Sequence, residues 1–263
     1  MSIARNYLLA LAALSVVGVT AAAQAATMTW TNGTFSNTSI LPTSNVVYAV
    51  DTGGGGGVTV TAAGIDWYSH QKYDTYNDGA VAGYDDWDRR GGYLIGSGRS
   101  TGDAGFDAVL DNYLFAPGGG PAQAIELKSL TAGHTYQVLL LDIWTGGLPF
   151  GGPLSMQAAD GYDGTTLTGS ASAVQQFSYQ YADDVDPITH IPNPLGGYLI
   201  GTFTADATSQ TLYLRTTGFD SGMISAFVVS EVVAPPPPYV PEPASLGVLG
   251  LGAVALLARR RRA

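Results

Sequence analysis

The chain has 263 residues, a formal net charge of −10 at pH 7 and no cysteine. The absence of cysteine excludes disulfides and thiolate-bound zinc or iron–sulfur sites, so the fold depends on core packing. Residues 27–238 alone contain 20 acidic and 6 basic residues, a net charge of −14. Nucleic acid is not an expected partner, because binding its phosphates requires positive charge.

The first 25 residues are typical of a secretory signal peptide. Arg5 gives a short positive region, residues 8–23 form an apolar core, and Ala23-Gln24-Ala25 is a small-x-small cleavage pattern. We expect the mature chain to begin near Ala26. Residues 26–233 are expected to form one domain, because a chain of about 210 residues is long enough to bury a core.

The domain has the pattern of an all-β protein. The segment Thr31-Asn32-Gly33 predicts a turn, and five glycines at 53–57 predict a flexible loop. The long apolar run within residues 135–144 predicts a central strand buried on both faces. Strand-forming residues predict further strands at 27–31, 45–51, 58–61, 124–127, 173–181, 198–205, 211–216 and 223–233.

About ten short strands separated by turns predict an antiparallel two-sheet sandwich of jelly-roll type with one short helix. The link at residues 130–134, followed by Thr135-Tyr136, resembles the hairpin common in secreted β-sandwich modules. The central domain thus resembles a secreted jelly-roll module of no named family. The helix is predicted at 103–115, with Asp103 as N-cap and an apolar face of Phe106, Val109, Leu110, Tyr113 and Leu114.

Residues 66–90 combine aromatic and acidic side chains without a period of 2 or 3.6, which predicts a long surface loop. Exposed aromatic rings stack on sugar faces, and carboxylates accept hydrogen bonds from sugar hydroxyls, so this loop is a candidate glycan site. The alternative is that its rings pack the loop onto the sandwich. The candidate glycan-binding residues are Trp67, Tyr73, Tyr76, Tyr84 and Trp87.

Two dense groups of carboxylates are candidates for calcium, which prefers hard oxygen ligands. No known calcium-loop pattern surrounds them, so solvated loop charge is the alternative. We expect no other cofactor. The groups are Asp85, Asp86 and Asp88, and Asp183, Asp184 and Asp186.

Two patterns leave a hydrolase open as the alternative function. Residues 98–102 read Gly-x-Ser-x-Gly around Ser100, with His134 and His190 downstream, but the alternating strands and helices that make this motif an esterase elbow are missing. Glycoside hydrolysis needs two facing carboxyl groups, and only Glu126 and Glu231 are glutamates in the domain. We expect no enzymatic activity, with an extracellular glycoside hydrolase or esterase as the alternative.

The C-terminus contains three successive signals. Residues 234–239 form a proline-rich stalk, stiff and extended, and Pro241-Glu242-Pro243 follows Val240 as an exposed, non-helical segment. The uncharged residues 244–258 form a helix only about 22 Å long, short of the ~30 Å bilayer core. A basic cluster then holds the end on the cytoplasmic side: Arg259, Arg260, Arg261 and Arg262.

Residues 240–263 resemble the PEP-CTERM sorting tail of Gram-negative, often exopolysaccharide-producing bacteria. The resemblance implies that a membrane-embedded exosortase recognises Pro241, Glu242 and Pro243 and removes the helix, so that the inner membrane holds the protein only transiently. A plain tail anchor is the alternative. The mature form is then expected at the cell surface or in an extracellular matrix, as a structural or glycan-binding protein with polysaccharide as its partner.

Overall fold

The computed structural model describes residues 27–52, 58–69, 88–91, 100–116, 122–143, 154–177, 194–217 and 222–233. The chain divides into two units, residues 1–232 and 233–263, and the described helix and strands belong to the first. These are α1 (Ala104–Leu110), a 3-10 turn (Thr38–Ile40), and strands β1 (Thr29–Phe35), β2 (Val46–Asp51), β3 (Thr59–Ala62), β4 (Ile65–Ser69), β5 (Asp88–Gly91), β6 (Asn112–Ala116), β7 (Gln123–Leu127), β8 (Thr135–Ile143), β9 (Leu154–Tyr162), β10 (Leu167–Ala171), β11 (Gln175–Phe177), β12 (Gly196–Thr204), β13 (Gln210–Thr217), β14 (Gly222–Ile224) and β15 (Ala226–Glu231).

The described strands form three sheets. The largest has the order β1-β12-β8-β15-β2-β4-β3; the second has the order β10-β9-β13-β7, with β11 also paired to β9; the smallest has the order β14-β6-β5. The predicted all-β, sandwich-like fold is confirmed. The prediction of a purely antiparallel fold is wrong at β2 and β4, which run parallel. The β3–β4 hairpin places β4, and not β3, beside β2. Since β3 and β4 run in opposite directions, the strand next to β2 is parallel to it.

One hydrophobic core lies between the two large sheets. Alternate residues of β8 point into it, because successive side chains of a strand point to opposite faces; these include Val138 and Leu140, both 0% exposed. Burying one such side chain contributes roughly 1.5–3 kcal/mol. The opposing sheet contributes Ile125, Leu127, Met156, Leu212 and Leu214.

A second core covers the opposite face of the seven-stranded sheet. There Leu139 and Leu141 of β8 lie in one cluster with Phe106 and Leu110 of α1. Both faces of β8 are therefore buried, and β12 and β15 flank it. The prediction of a central strand buried on both faces is confirmed, and it explains the continuous apolar run at this strand.

Two local predictions need correction. Asn32 and Gly33 form no turn but lie within β1, opposite Leu199 and Tyr198. Glycine suits this position because a Cβ at Gly33 would lie 2.6 Å from the Tyr198 hydroxyl, so a larger residue would force the tyrosine to shift. The helix begins as predicted but ends at Leu110, and residues 112–116 form β6. The Asp111-Asn112 pair has low helix propensity, which favours this end.

The number of strands was also underestimated. Fifteen strands are present among the described residues, whereas the sequence predicted about ten. Strands β9 and β10 were missed because glycine and other small residues there resemble turns. Residues 65–69 form β4 instead of a loop. The rest of the predicted loop up to residue 87, both targeting segments and the stalk lie outside the described residues.

Candidate functional site

Trp67 lies inside the domain and not at a glycan-binding surface. The side chain is 0% exposed, its ring centroid lies 5.4 Å from that of Phe106, and its indole N–H donates to the carbonyl of Ala62 at 3.0 Å. A sugar cannot reach this ring, so the predicted role of Trp67 is wrong. The alternation of β4 explains the error, because it points Ile65, Trp67 and Ser69 inward.

The remaining predicted ligand sites are not covered by the structure. Tyr73, Tyr76, Tyr84 and Trp87 lie outside the described residues, as do five of the six candidate calcium ligands; Asp88 begins β5, but its side chain is not described. Among the described residues, no three His, Asp or Glu side chains lie close enough together to hold a metal ion. Both calcium groups therefore stay predictions.

Ser100 lies just before α1 and is held by a carboxylate. Its hydroxyl donates to Asp107 Oδ2 at 2.5 Å and accepts from the Gly102 N–H at 2.9 Å. The same carboxylate accepts from the backbone and the hydroxyl of Thr101 at 2.7 and 2.6 Å. These bonds fix the turn that begins the helix. They join Ser100 to an aspartate, whereas His134 lies against Glu231, and His190 is outside the described residues.

The two glutamates do not form a facing pair. Glu126 lies in β7 of the five-stranded sheet, where its Oε2 is 3.6 Å from Lys128 Nζ. Glu231 ends β15 of the seven-stranded sheet, where its Oε1 is 2.7 Å from His134 Nδ1. Each glutamate has a different partner, so the arrangement gives no support to a two-carboxylate glycosidase.

An open cleft lies at one end of the seven-stranded sheet and is the candidate site of the described domain. Its volume is about 590 Å³, within the ~300–1,000 Å³ range of small-molecule sites. One wall is the segment that leads from the 3-10 turn into β2, and the other is the turn between β3 and β4 with the N-cap of α1. The lining residues are Thr38, Ser39, Leu41, Pro42, Thr43, Ser44, Asn45, Val46, Ala63, Gly64, Ile65 and Asp103.

Asp103 holds the second wall together. Its Oδ1 accepts from the Phe106 N–H at 2.9 Å and caps α1, while its Oδ2 accepts from the Ala63 N–H at 3.2 Å. Ala63 and Gly64 have φ of 51° and 76°, as expected for a two-residue hairpin turn with left-handed residues. An alanine in the left-handed region of backbone conformation costs about 1–2 kcal/mol. The hydrogen bond that Ala63 donates to Asp103 therefore holds a strained turn in place.

Two hydrogen-bonded turns hold the first wall. Asn37 Oδ1 accepts from the Ser39 N–H at 2.9 Å, and the Thr38 carbonyl accepts from the Leu41 N–H at 3.0 Å. Asn45 adopts φ of 57°, and its carbonyl accepts from the Glu231 N–H at 2.9 Å. Two of the three described non-glycine residues with positive φ thus line the cleft, and strained residues of this kind cluster at functional sites.

Five polar residues line the cleft besides Asp103, and four of them are exposed: Ser39, Thr43, Ser44 and Asn45. Within the described part of the chain, no hydrogen bond joins their hydroxyl or amide groups to another residue. Elsewhere, buried polar side chains such as Thr52 and Ser172 bond to backbone groups. The unused groups belong to Thr38, Ser39, Thr43, Ser44 and Asn45.

The sequence reasoning did not identify these cleft residues. The available signal was the segment 36–45, in which serine, threonine and asparagine surround Ile40, Leu41 and Pro42 before the strand at 46. The Asp103 N-cap was predicted and is confirmed, but its bond to Ala63 was not foreseen.

The turn between β9 and β10 is organised by a carboxylate. Asp163 accepts from the backbone and hydroxyl groups of Thr166 and Thr165 at 2.7–2.8 Å. These bonds, the Thr166 N–H first, hold the pKa of Asp163 well below its usual range. Asp163 therefore acts as a turn former, whereas Asp160 lies within β9.

Comparison with known proteins identifies the C-terminal segment. Residues 240–262 match the PEP-CTERM protein-sorting motif, which confirms the predicted resemblance and indicates an exported bacterial protein that an exosortase sorts to the cell surface or beyond. No curated protein and no solved structure matches the chain. In the described part of the chain, no helix has the length and apolar character needed to cross a bilayer.

Proposed function

We propose that this exosortase-sorted protein is a non-enzymatic component of the surface or extracellular matrix of a Gram-negative, exopolysaccharide-producing bacterium. In this proposal its β-sandwich, of jelly-roll type, is a structural or glycan-binding module, and polysaccharide is its partner. The observation that carries the proposal is the match of residues 240–262 to the sorting motif. It follows a domain whose described residues form fifteen β-strands and one short α-helix.

The tail is suited to removal. Pro-Glu-Pro cannot enter a helix interior, so we expect the triplet to be extended and accessible to a protease. A helix formed by the uncharged residues 244–258 would be only about 22 Å long, short of the ~30 Å bilayer core. It would span the inner membrane only if the bilayer thins locally or the arginines snorkel to the interface.

Deletion of residues 241–243 tests the sorting part. The deletion variant should accumulate as an unprocessed, membrane-bound precursor, while deletion of three stalk prolines, 236–238, should leave processing intact. Immunoblots of inner-membrane, surface and medium fractions measure the distribution. If the protein lacking the triplet matures and leaves the cell at the normal rate, the sorting role is wrong.

The cleft supports the glycan-binding part. Sugar sites combine apolar surface with a few well-placed polar groups, and the cleft joins aliphatic side chains to unused hydroxyl and amide groups. Exported protein recovered from cells should bind neutral glycans on a glycan array. If no glycan on the array is bound, the glycan-binding proposal is wrong and a structural role remains.

An extracellular esterase or glycoside hydrolase is the alternative. Among the described residues, the short bond between Ser100 and Asp107 favours it, because a carboxylate polarises the hydroxyl that it accepts from. Esterase activity that disappears in Ser100→Ala, with an unchanged melting temperature, would establish the alternative.

A further inference from the structure

We propose that the cleft between the 3-10 turn, the β3–β4 turn and Asp103 binds one or two units of a neutral saccharide. This inference rests on the proposed glycan-binding function and deepens it. It moves the site from the aromatic loop, where the sequence had placed it, to residues 38–46, 63–65 and 103.

The surfaces of the cleft match the two faces of a sugar. The half-buried Pro42 and Val46 offer an aliphatic surface to the C–H groups of a pyranose ring. Leu41 and Ile65, which are 7% and 5% exposed, belong to the core behind this surface. Around this surface lie the four hydroxyls and the amide that the fold does not use. Hydroxyls both donate and accept hydrogen bonds, which is what neighbouring sugar hydroxyls require.

The charges in and around the cleft select against anionic sugars. Among its lining residues Asp103 is the one charged side chain, and none is basic. Residues 27–238 carry a net charge of −14, so a uronate or sulfated glycan would approach against repulsion. A neutral saccharide meets no such barrier, and its hydroxyls can donate to a carboxylate.

The walls are already held in position before any ligand binds. Asp103 ties Ala63 to the start of α1, and the Asn45 carbonyl is bonded to Glu231 at the end of β15. A site whose backbone is fixed in advance loses less entropy on binding, so weak hydroxyl contacts yield more affinity.

The test uses the purified full-length chain in mild detergent and four probes: maltose, cellobiose, mannobiose and digalacturonic acid. Isothermal titration should show binding of at least one neutral disaccharide and much weaker binding of the acid. Thr38→Val combined with Thr43→Val keeps the shape of both side chains and removes two hydroxyls, so it should weaken binding by about tenfold or more. Ser44→Trp, at an exposed position, should block the cleft. Thr31→Val, which removes an exposed hydroxyl of β1 outside the cleft, is the matched control.

The outcomes separate the cleft from the broader function. If neutral glycans bind and the cleft variants, at unchanged melting temperature, bind as well as the control, the protein binds glycans elsewhere and the cleft is refuted. If digalacturonic acid binds as tightly as the best neutral sugar, the charge argument is wrong. If no disaccharide binds and the glycan array is also empty, the glycan-binding function itself is lost.

Discussion

Replacing Asp103 by alanine removes the acceptor of two backbone N–H groups, those of Phe106 and of Ala63, which is 40 residues before Asp103 in the chain. Phe106 donates to one carboxylate oxygen at 2.9 Å and Ala63 donates to the other at 3.2 Å. Loss of an N-cap side chain costs about 1 kcal/mol, and loss of a second hydrogen bond costs about 1 kcal/mol more. We therefore expect Asp103→Ala to lower the free energy of unfolding by about 2 kcal/mol.

Asparagine at this position separates the two contributions. The amide oxygen still caps α1, but the amide N–H₂ faces the Ala63 N–H as a second donor, so Asp103→Asn should lose about 1 kcal/mol. Asp206, an exposed aspartate with no described hydrogen bond to its side chain, is the matched control. Its replacement by alanine should change stability by no more than about 0.5 kcal/mol.

Urea unfolding of the exported protein, followed by tryptophan fluorescence, measures these differences through the midpoint at constant slope. The proposed geometry predicts the order alanine, asparagine, control, from the least to the most stable. Equal losses for alanine and asparagine would mean that the bond to Ala63 contributes nothing. A loss for Asp103→Ala no larger than that of the control would refute the whole argument.

Three further outcomes are expected. Gly169 has φ of 72° and a Cβ there would collide with the Asp160 carboxylate, whereas Gly164 has φ of 96° and open space around it. In urea unfolding, Gly169→Ala should therefore lower the free energy of unfolding by about 2–4 kcal/mol, and Gly164→Ala by only about 1–2 kcal/mol. Equal losses would contradict the steric argument. Trp67→Ala should cost about 3–5 kcal/mol, because the ring is fully buried, and a wild-type midpoint would show that the ring is not in the core. The lowered pKa of Asp163 means that its carboxylate stabilises the fold at pH values above the ordinary aspartate pKa of ~3.9, and that this contribution fades as the pH falls further. The difference in melting temperature between wild type and Asp163→Ala should therefore shrink below about pH 4. A difference that stays constant down to pH 2 would contradict the assignment.

Predictions that depend on local patterns agreed best with the structure. The apolar run of β8 is long because both faces of the strand are covered, so its burial was visible from composition alone. Asp103 was recognisable as an N-cap because capping involves residues only three positions apart. The sorting motif at residues 240–262 is likewise a continuous segment.

Predictions that depend on distant partners failed where the partner overrode the local signal. Asn32 and Gly33 have turn chemistry, but β12 pairs with the whole of β1 and the Tyr198 ring occupies the space above the glycine. Trp67 lies in a polar, aromatic stretch typical of a surface, yet α1 covers it through Phe106. Neither partner is visible within the ten residues on either side.

The sequence by itself determined where the protein goes, that its domain is built from strands, and where its helix begins. The destination follows from the match of one continuous segment to the sorting motif, whereas the strands and the start of the helix follow from periodicity and capping over short windows. Only the tertiary structure decided that Trp67 is buried and that residues 38–46, 63–65 and 103 enclose a cleft. A cleft has no local pattern, because the sheet order and the Asp103 bond bring together segments that are up to about 65 residues apart.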